Sequence, residues 1–175
     1  MKLFYIFFFA LIALQAVFAT DLASISAKLQ TVNSACDKVS QLSSSIKVTA
    51  DVASSIEADV TAIVSALGDA QAEISAYVGT LAAADVDAII KILVKIEVGI
   101  SVGIKVIIGL QAGLNAIGED TKLGDDLANL QVAIKAFVGV FLGKCPSASK
   151  SDASSVCNKL QSDAKSACSA YSSCS

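Results

Sequence analysis

Apolar residues recur every three or four positions along almost the whole chain, and this spacing constrains the fold more than any other feature of the sequence. Ser, Thr, Asp and Lys occupy the positions between them, as in amphipathic helices packed on a shared core. Abundant Ala and a single proline, Pro146, also favour helix. The sequence therefore predicts an all-α, single-domain bundle of about five helices. The apolar stripes lie within residues 22–46, 52–78, 89–114, 127–141 and 156–171.

The segment from Val86 to Ile117 predicts a long central helix. At about 32 residues it would measure about 48 Å, which exceeds an ordinary bundle helix and leaves room for a kink near Gly99 or Gly103. Residues 96–108 also alternate as in a strand, but a lone strand among helices cannot satisfy its own backbone groups. We therefore expect helix, with the Gly99-x-x-x-Gly103 spacing allowing a neighbour to approach closely.

Breaks between the helices are marked by glycine, proline and short polar stretches. Gly79 is expected to end the second helix and Asp85 to cap the third. Gly118 and residues 119–126 are expected to separate the third helix from the fourth, and residues 144–147 the fourth from the fifth.

The N-terminus has the pattern of a secretory signal peptide. Lys2 precedes the apolar run Leu3–Leu14, and Val17 and Ala19 place small residues before a cleavage site. The run is shorter than the roughly 20 residues of a membrane span. The sequence predicts a signal peptide over residues 1–19 and a mature domain over 20–175 that is secreted, extracellular or in the cell wall, with no transmembrane span.

The charge pattern argues against several function classes. The full chain has a net charge of −3, and removing Lys2 leaves 12 Lys against 16 acidic residues, or −4. A weakly acidic chain without Arg is a poor binder of nucleic acid. The absence of His rules out Ser-His and Cys-His catalysis, and no phosphate-binding glycine loop follows a strand. We therefore expect no catalytic residues, cofactor or metal.

Five cysteines fit an oxidising compartment. Four can pair and one remains, so connectivity is open among 15 arrangements, and the spare thiol could be free, buried or intermolecular. Their spacing resembles no zinc site. We predict a disulfide-stapled C-terminal region. The candidates are Cys36, Cys145, Cys157, Cys168 and Cys174.

Apolar surface is the remaining chemical asset of the chain. A helix with aliphatic residues around much of its circumference must be buried on several sides or must line a cavity. Close packing of native interiors favours a filled core. If a dry cavity exists instead, its candidate lining residues are Ile63, Leu67, Ile89, Leu93, Ile96, Ile100, Ile104, Phe137 and Phe141.

Four stretches have a recognisable order of apolar and small residues. They are Leu81–Asp85 leading into Ile89–Leu93, Leu123–Leu130 followed by Phe137 and Phe141, Lys144–Pro146, and Leu160–Tyr171. In this order the chain, from about Leu22 to Tyr171, resembles the fungal hydrophobic surface-binding protein A family, which includes cell-wall galactomannoproteins. The resemblance implies an all-helical secreted or wall protein that adsorbs to hydrophobic surfaces, and some members hold fatty acids inside the bundle. The cysteine-rich C-terminal region departs from the family pattern and would close or rigidify one end.

Together these features predict a secreted, non-catalytic protein that binds hydrophobic surfaces or fatty acids and other lipids. Cell-wall polysaccharide is a further candidate partner. The alternative is a structural wall mannoprotein, or a secreted antigen or effector, without a lipid cavity.

Overall fold

The computed structural model of the chain describes residues 22–42 and 46–171. The predicted signal peptide, residues 1–19, and Cys174 lie outside the described residues. Five α-helices make up most of the described part, which contains no β-strand, so the predicted all-α bundle is confirmed. The helices are α1 (22–40), α2 (Ala50–Ala76), α3 (Ala83–Ile117), α4 (Asp120–Lys144) and α5 (Lys150–Ala170).

Short connections make consecutive helices antiparallel, so α1, α3 and α5 run in one direction and α2 and α4 return. α2 contacts α4, and α5 contacts both α3 and α4. α1 lies against α2, to which it is joined by the ion pairs Lys28–Asp69 and Lys38–Asp59. The direct contacts between α3 and α4 are few, although the two helices are consecutive. The side chains of the core therefore fill the space between α3 and the α2–α4 pair.

The long central helix is observed as predicted. α3 has 35 residues, which corresponds to about 52 Å at 1.5 Å per residue. It continues as helix through Gly99 and Gly103, where the sequence leaves room for a kink. The strand-like alternation in this segment arises because α3 has apolar side chains on its outer face as well as on its buried one.

Three predicted boundaries were wrong. α2 ends at Ala76, and Gly79 lies in the following connection with a φ of 90°. α3 begins at Ala83 without a side-chain cap, so Asp85 lies in its first turn, where a carboxylate suits the positive end of the helix. α4 begins at Asp120, because Leu123 and Leu127 must both be buried and the polar residues around them form its outer face.

The two ends of the bundle differ in how their interiors are filled. We call the end that contains the 77–82 and 145–149 connections the phenylalanine end. There Phe137 and Phe141 stack with ring centroids 5.9 Å apart, and both are almost fully buried. The backbone N–H of Leu81 donates to the carbonyl of Lys144 at 2.9 Å, which joins the two connections. We call the other end, where α3 turns into α4 and α1 leads to α2, the cavity end.

Candidate functional site

A cavity lies at the centre of the bundle, in the half nearer the cavity end. Its volume is about 20 Å³, which is room for about one water molecule. The lining side chains are aliphatic apart from the thiol of Cys36, and two positions are glycine. A space of this kind offers water no hydrogen-bond partners, so it favours hydrocarbon. The lining residues are Cys36, Val39, Val60, Ile63, Gly99, Ile100, Gly103, Ile104, Ile107, Leu127 and Leu130.

The structure places three of the sequence-predicted lining residues at this cavity, namely Ile63, Ile100 and Ile104. The others are buried in the same core but away from the cavity. Their role as ligand contacts stays a prediction. These six are Leu67, Ile89, Leu93, Ile96, Phe137 and Phe141.

Sequence reasoning missed the α1 and glycine walls of the cavity. Cys36 and Val39 of α1 face Gly99 and Gly103 of α3. The signal for this arrangement was the Gly99-x-x-x-Gly103 spacing, which marks a close approach, but it did not say which helix approaches.

The glycines bring α1 very close to α3. A Cβ atom placed on Gly99 would lie 2.8 Å from Cys36 Cβ, and one placed on Gly103 would lie 3.1 Å from Val39 Cγ1. Any side chain at Gly99 would therefore collide with α1. The wall between the cavity and the outside is consequently thin at this point, since α3 contributes only backbone.

Three buried cysteines have thiols whose pKa is raised by their surroundings. Cys36, Cys145 and Cys157 are free thiols and buried. Burial raises the pKa of Cys36 from 9.0 to about 12, with the charge of Asp37 as a second cause. Burial also raises the pKa of Cys157 to about 12 and raises that of Cys145. These three form no disulfide in the structure, Cys168 is buried as well, and the predicted disulfide stapling of the C-terminal region stays a prediction.

A buried carboxylate lies between α2 and α4, one turn from the cavity-lining residue Val60. Only 9% of the Glu57 side chain is exposed, and its Oε2 accepts a hydrogen bond from Lys122 Nζ. Its Oε1 is buried, and no described residue forms a hydrogen bond with it. Burial raises the pKa of the neighbouring Asp126, and the charge of Glu57 raises it further. This group forms a polar edge next to an otherwise apolar site.

Two open grooves lie on the outside of the bundle. The first, of about 420 Å³, lies between α1 and α3 and contains the half-exposed valines Val94, Val98 and Val102. Gly99 lines both this groove and the internal cavity. The second, of about 430 Å³, lies between α2 and α4, and Val60 lines both it and the cavity.

Two other features of the described residues are their capacity to hold a metal ion and their capacity to cross a membrane. No group of three or more His, Cys, Asp or Glu side chains in that part of the chain is arranged to hold a metal ion. Within the same residues, α4 alone is long and apolar enough to cross a membrane by length and composition. The core helix of a bundle has the same composition, and the apolar stripe of α4 is buried against its neighbours.

Comparisons with known proteins bear on the fold. No family model and no curated protein matches the sequence. Ligand-binding domain 1 of the Penicillium marneffei MP1 protein, complexed with arachidonic acids, matches with a TM-score of 0.76 at 14% identity, over 86% of this chain and 98% of that one. The chain therefore shares the fold of this MP1 domain. AfMp4p in complex with palmitic acid is also similar to this chain, with a TM-score of 0.72 at 19% identity, over 88% of this chain and 99% of AfMp4p.

Ligand-binding domain 2 of the same MP1 protein, complexed with multiple arachidonic acids, gives a TM-score of 0.69 at 15% identity, over 89% of this chain and 94% of that domain. All these chains are covered almost end to end, so the whole five-helix arrangement is shared. At such low identity the likeness establishes the architecture and leaves the ligand of this chain to be argued from its own residues.

Proposed function

We propose that this chain binds a long-chain fatty acid, with the acyl chain in the central cavity, and catalyses no reaction. The observation that carries the proposal is the position and lining of the cavity, which is apolar on every side and central to the bundle. The shared fold supports it, because the MP1 domains are described with arachidonic acids and AfMp4p with palmitic acid.

Burial of the acyl chain supplies the affinity. About ten methylenes at ~0.8 kcal/mol each contribute roughly 8 kcal/mol before ordering costs. Those costs offset several kcal/mol, so we expect a dissociation constant in the micromolar range. The described walls of the cavity offer the carboxylate no partner, so we place the head group towards solvent.

An acyl chain needs more room than the cavity offers. A volume of about 20 Å³ holds about one water molecule, so side chains or a helix must move when the ligand binds. Ile100, Ile104 and Ile107 are the bulkiest side chains of the α3 wall, and all three line the space directly. We therefore expect binding to be coupled to repacking of this wall.

The proposal also covers the mature form of the protein and its location. We propose a single mature domain, residues 20–175, that is secreted to the medium or the wall after removal of residues 1–19. The signal-peptide pattern of the sequence supports this. The high pKa values of Cys36 and Cys157 and the absence of His from the sequence are in keeping with a binding protein rather than an enzyme.

The small cavity volume favours a second candidate, a structural wall protein or a secreted antigen or effector with a filled core. In that case the cavity is a packing defect of the size that many native cores contain. Such a protein would take up no acyl chain after delipidation.

Native mass spectrometry of the secreted protein separates the two. We expect a bound mass that disappears on delipidation and returns stoichiometrically when palmitate is added. No bound mass and no uptake would exclude the fatty-acid proposal and leave the structural role.

Variants at Val60 link uptake to the cavity. Val60→Phe fills the space and should weaken palmitate binding at least tenfold, whereas Val60→Ala enlarges it and should preserve binding. Val132→Phe makes the same change at an exposed position of α4 and serves as the matched control. Thermal unfolding of each variant would show whether lost binding is lost folding.

A further inference from the structure

We propose that the acyl chain reaches the central cavity between α1 and α3, at Gly99 and Gly103, from the outer groove that contains Val94, Val98 and Val102. This inference rests on the proposed function and adds the route of the ligand. Its starting point is that the internal cavity and the outer groove share Gly99 as a wall.

The barrier at this point contains no side chain from α3. From α3 it consists of glycine backbone, and from α1 it consists of the side chains of Cys36 and Val39. Moving α1 outward by a few ångströms would join the cavity to the groove without displacing any α3 side chain. At the other shared wall, between α2 and α4, the side chain of Val60 occupies the space.

The contact between α1 and α3 has no polar link among the described residues. In the described residues, no side-chain hydrogen bond or ion pair connects α1 to α3, whereas α1 is held to α2 by Lys28–Asp69, Lys38–Asp59 and the hydrogen bond from Ser24 Oγ to Glu73. α2 and α4 are joined by the pair of Glu57 and Lys122.

On its other side α3 is attached to the C-terminal helix. The hydroxyl of Tyr171, which follows α5, donates to the carbonyl of Ile107 at 2.8 Å, and Gln111 donates to the carbonyl of Ala170 at 2.8 Å. Opening on the α1 side breaks only van der Waals contacts, while opening on the α5 side breaks hydrogen bonds as well. Of these two neighbours of α3, α1 is therefore the more easily separated from it.

The outer groove matches the chemistry of a fatty acid. Val94, Val98 and Val102 follow one another at four-residue spacing and so form a continuous apolar strip along α3. Lys95 lines the same groove and offers a positive charge to the carboxylate. Asp37, on the α1 side of the groove, accepts a hydrogen bond from Asn33 and would repel a carboxylate. The head group of the fatty acid should therefore lie on the α3 side.

A reversible cross-link between α1 and α3 tests the route. Cβ atoms at positions 39 and 103 would lie 3.5 Å apart, at the lower limit of the roughly 3.5–4.5 Å found in disulfides. The variant Val39→Cys/Gly103→Cys, made with Cys36→Ala to prevent mispairing, is compared with itself in oxidised and reduced form. The probe is a fluorescent long-chain fatty acid added to delipidated protein in a stopped-flow instrument.

We expect the reduced form to take up the probe and the oxidised form to do so at least tenfold more slowly, with reductant restoring the rate. Protein loaded before oxidation should release the probe more slowly by a similar factor. Equal rates in the two forms would overturn the route and leave the proposed function intact. Lack of uptake by the wild-type protein would overturn the proposed function itself.

A second variant keeps the route testable if the double variant does not fold. Gly99→Ala places a methyl group 2.8 Å from Cys36 Cβ and must push α1 away from α3. Uptake and release should become several-fold faster, while Gly139→Ala, at a glycine with open space around it, should leave both rates unchanged. Unchanged rates in Gly99→Ala would contradict the route.

Discussion

The phenylalanine end and the cavity end are built from the same five helices, yet their interiors are filled in different ways. At the phenylalanine end the large rings of Phe137 and Phe141 stack, and backbone hydrogen bonding joins Leu81 to Lys144. At the cavity end α3 presents Gly99 and Gly103 together with branched aliphatics, which leave a space between the helices. Buried apolar side chains fill both regions, so the shape and volume of the side chains, more than their hydropathy, decide where a cavity forms.

The difference assigns a separate role to each end. Aromatic rings bury large areas and fix the helices at one end, whereas the described residues that line the cavity at the other end include no aromatic side chain. Stability should therefore depend mainly on the phenylalanine end and ligand uptake on the cavity end. Four experiments test this division.

Truncating an aromatic ring should have the largest effect. Phe141→Ala is expected to lower the free energy of unfolding by about 3–5 kcal/mol, and Ile104→Val at the cavity by about 0.5–1.5 kcal/mol. Urea unfolding followed by circular dichroism would measure both. A loss for Phe141→Ala no larger than that for Ile104→Val would contradict the assignment of stability to the phenylalanine end.

The buried thiols should react slowly. Because burial raises the pKa of Cys36 from 9.0 to about 12, its thiolate fraction at pH 8 falls about a thousandfold. Cys157 has the same pKa at the phenylalanine end, so its thiolate is equally scarce there. Local opening at the looser end should nevertheless make Cys36 react with iodoacetamide faster than Cys157, as measured by peptide mass spectrometry.

The ligand provides the control for this comparison. Palmitate at saturation should slow the alkylation of Cys36 and leave that of Cys157 unchanged. A faster reaction at Cys157 than at Cys36 would show that the phenylalanine end opens first.

Adding one methyl group should have opposite effects at two glycines. Gly99→Ala is expected to destabilise the fold by about 1–3 kcal/mol through overpacking against α1. Gly139→Ala, in α4 with nothing near its Cβ position, should stabilise it by about 0.5–1 kcal/mol through helix propensity. Thermal unfolding would measure both, and a neutral Gly99→Ala would show that α1 is not in tight contact with α3.

The polar edge of the cavity end should produce the smallest effect. Burial, and then the charge of Glu57, raises the pKa of Asp126, so the folded state binds this proton more readily than the unfolded state. The stabilisation that protonated Asp126 contributes is present at low pH, and it is lost as the pH rises through the pKa of Asp126 in the folded state.

Asp126→Asn should therefore be more stable than wild type at pH 7 by a few tenths of a kcal/mol, since the site is only partly buried and solvent screens its charge. The gain should vanish near pH 3, where both states of the wild type are protonated. Urea unfolding at the two pH values gives the comparison. A larger gain at low pH than at neutral pH would reverse the assigned sign.

Most of the fold could be predicted from sequence, because the period of the apolar residues reports directly on helices. The cavity could be predicted only in part. Ile63, Ile100 and Ile104 lie on apolar stripes, as do Phe137 and Phe141, and periodicity does not distinguish stripes that meet a void from stripes that meet another side chain. That distinction depends on how α1 sits against Gly99 and Gly103, which is a tertiary contact.

The start of α4 shows the same limit. Its polar first turns suggest a connection, and only the burial of Leu123 and Leu127 reveals that they are helical.

The way α1 is attached has a consequence for the order in which the structure is lost. Ion pairs on the surface contribute little, so α1 is held chiefly by its apolar stripe, while α4 contacts α2, α3 and α5. Under native conditions the amide protons of α1 should exchange with solvent at a lower opening free energy than those of α4, as one cooperative unit. A four-helix remainder with α1 detached would then be a minor species in the native ensemble, and it would be the species that a protease attacks first.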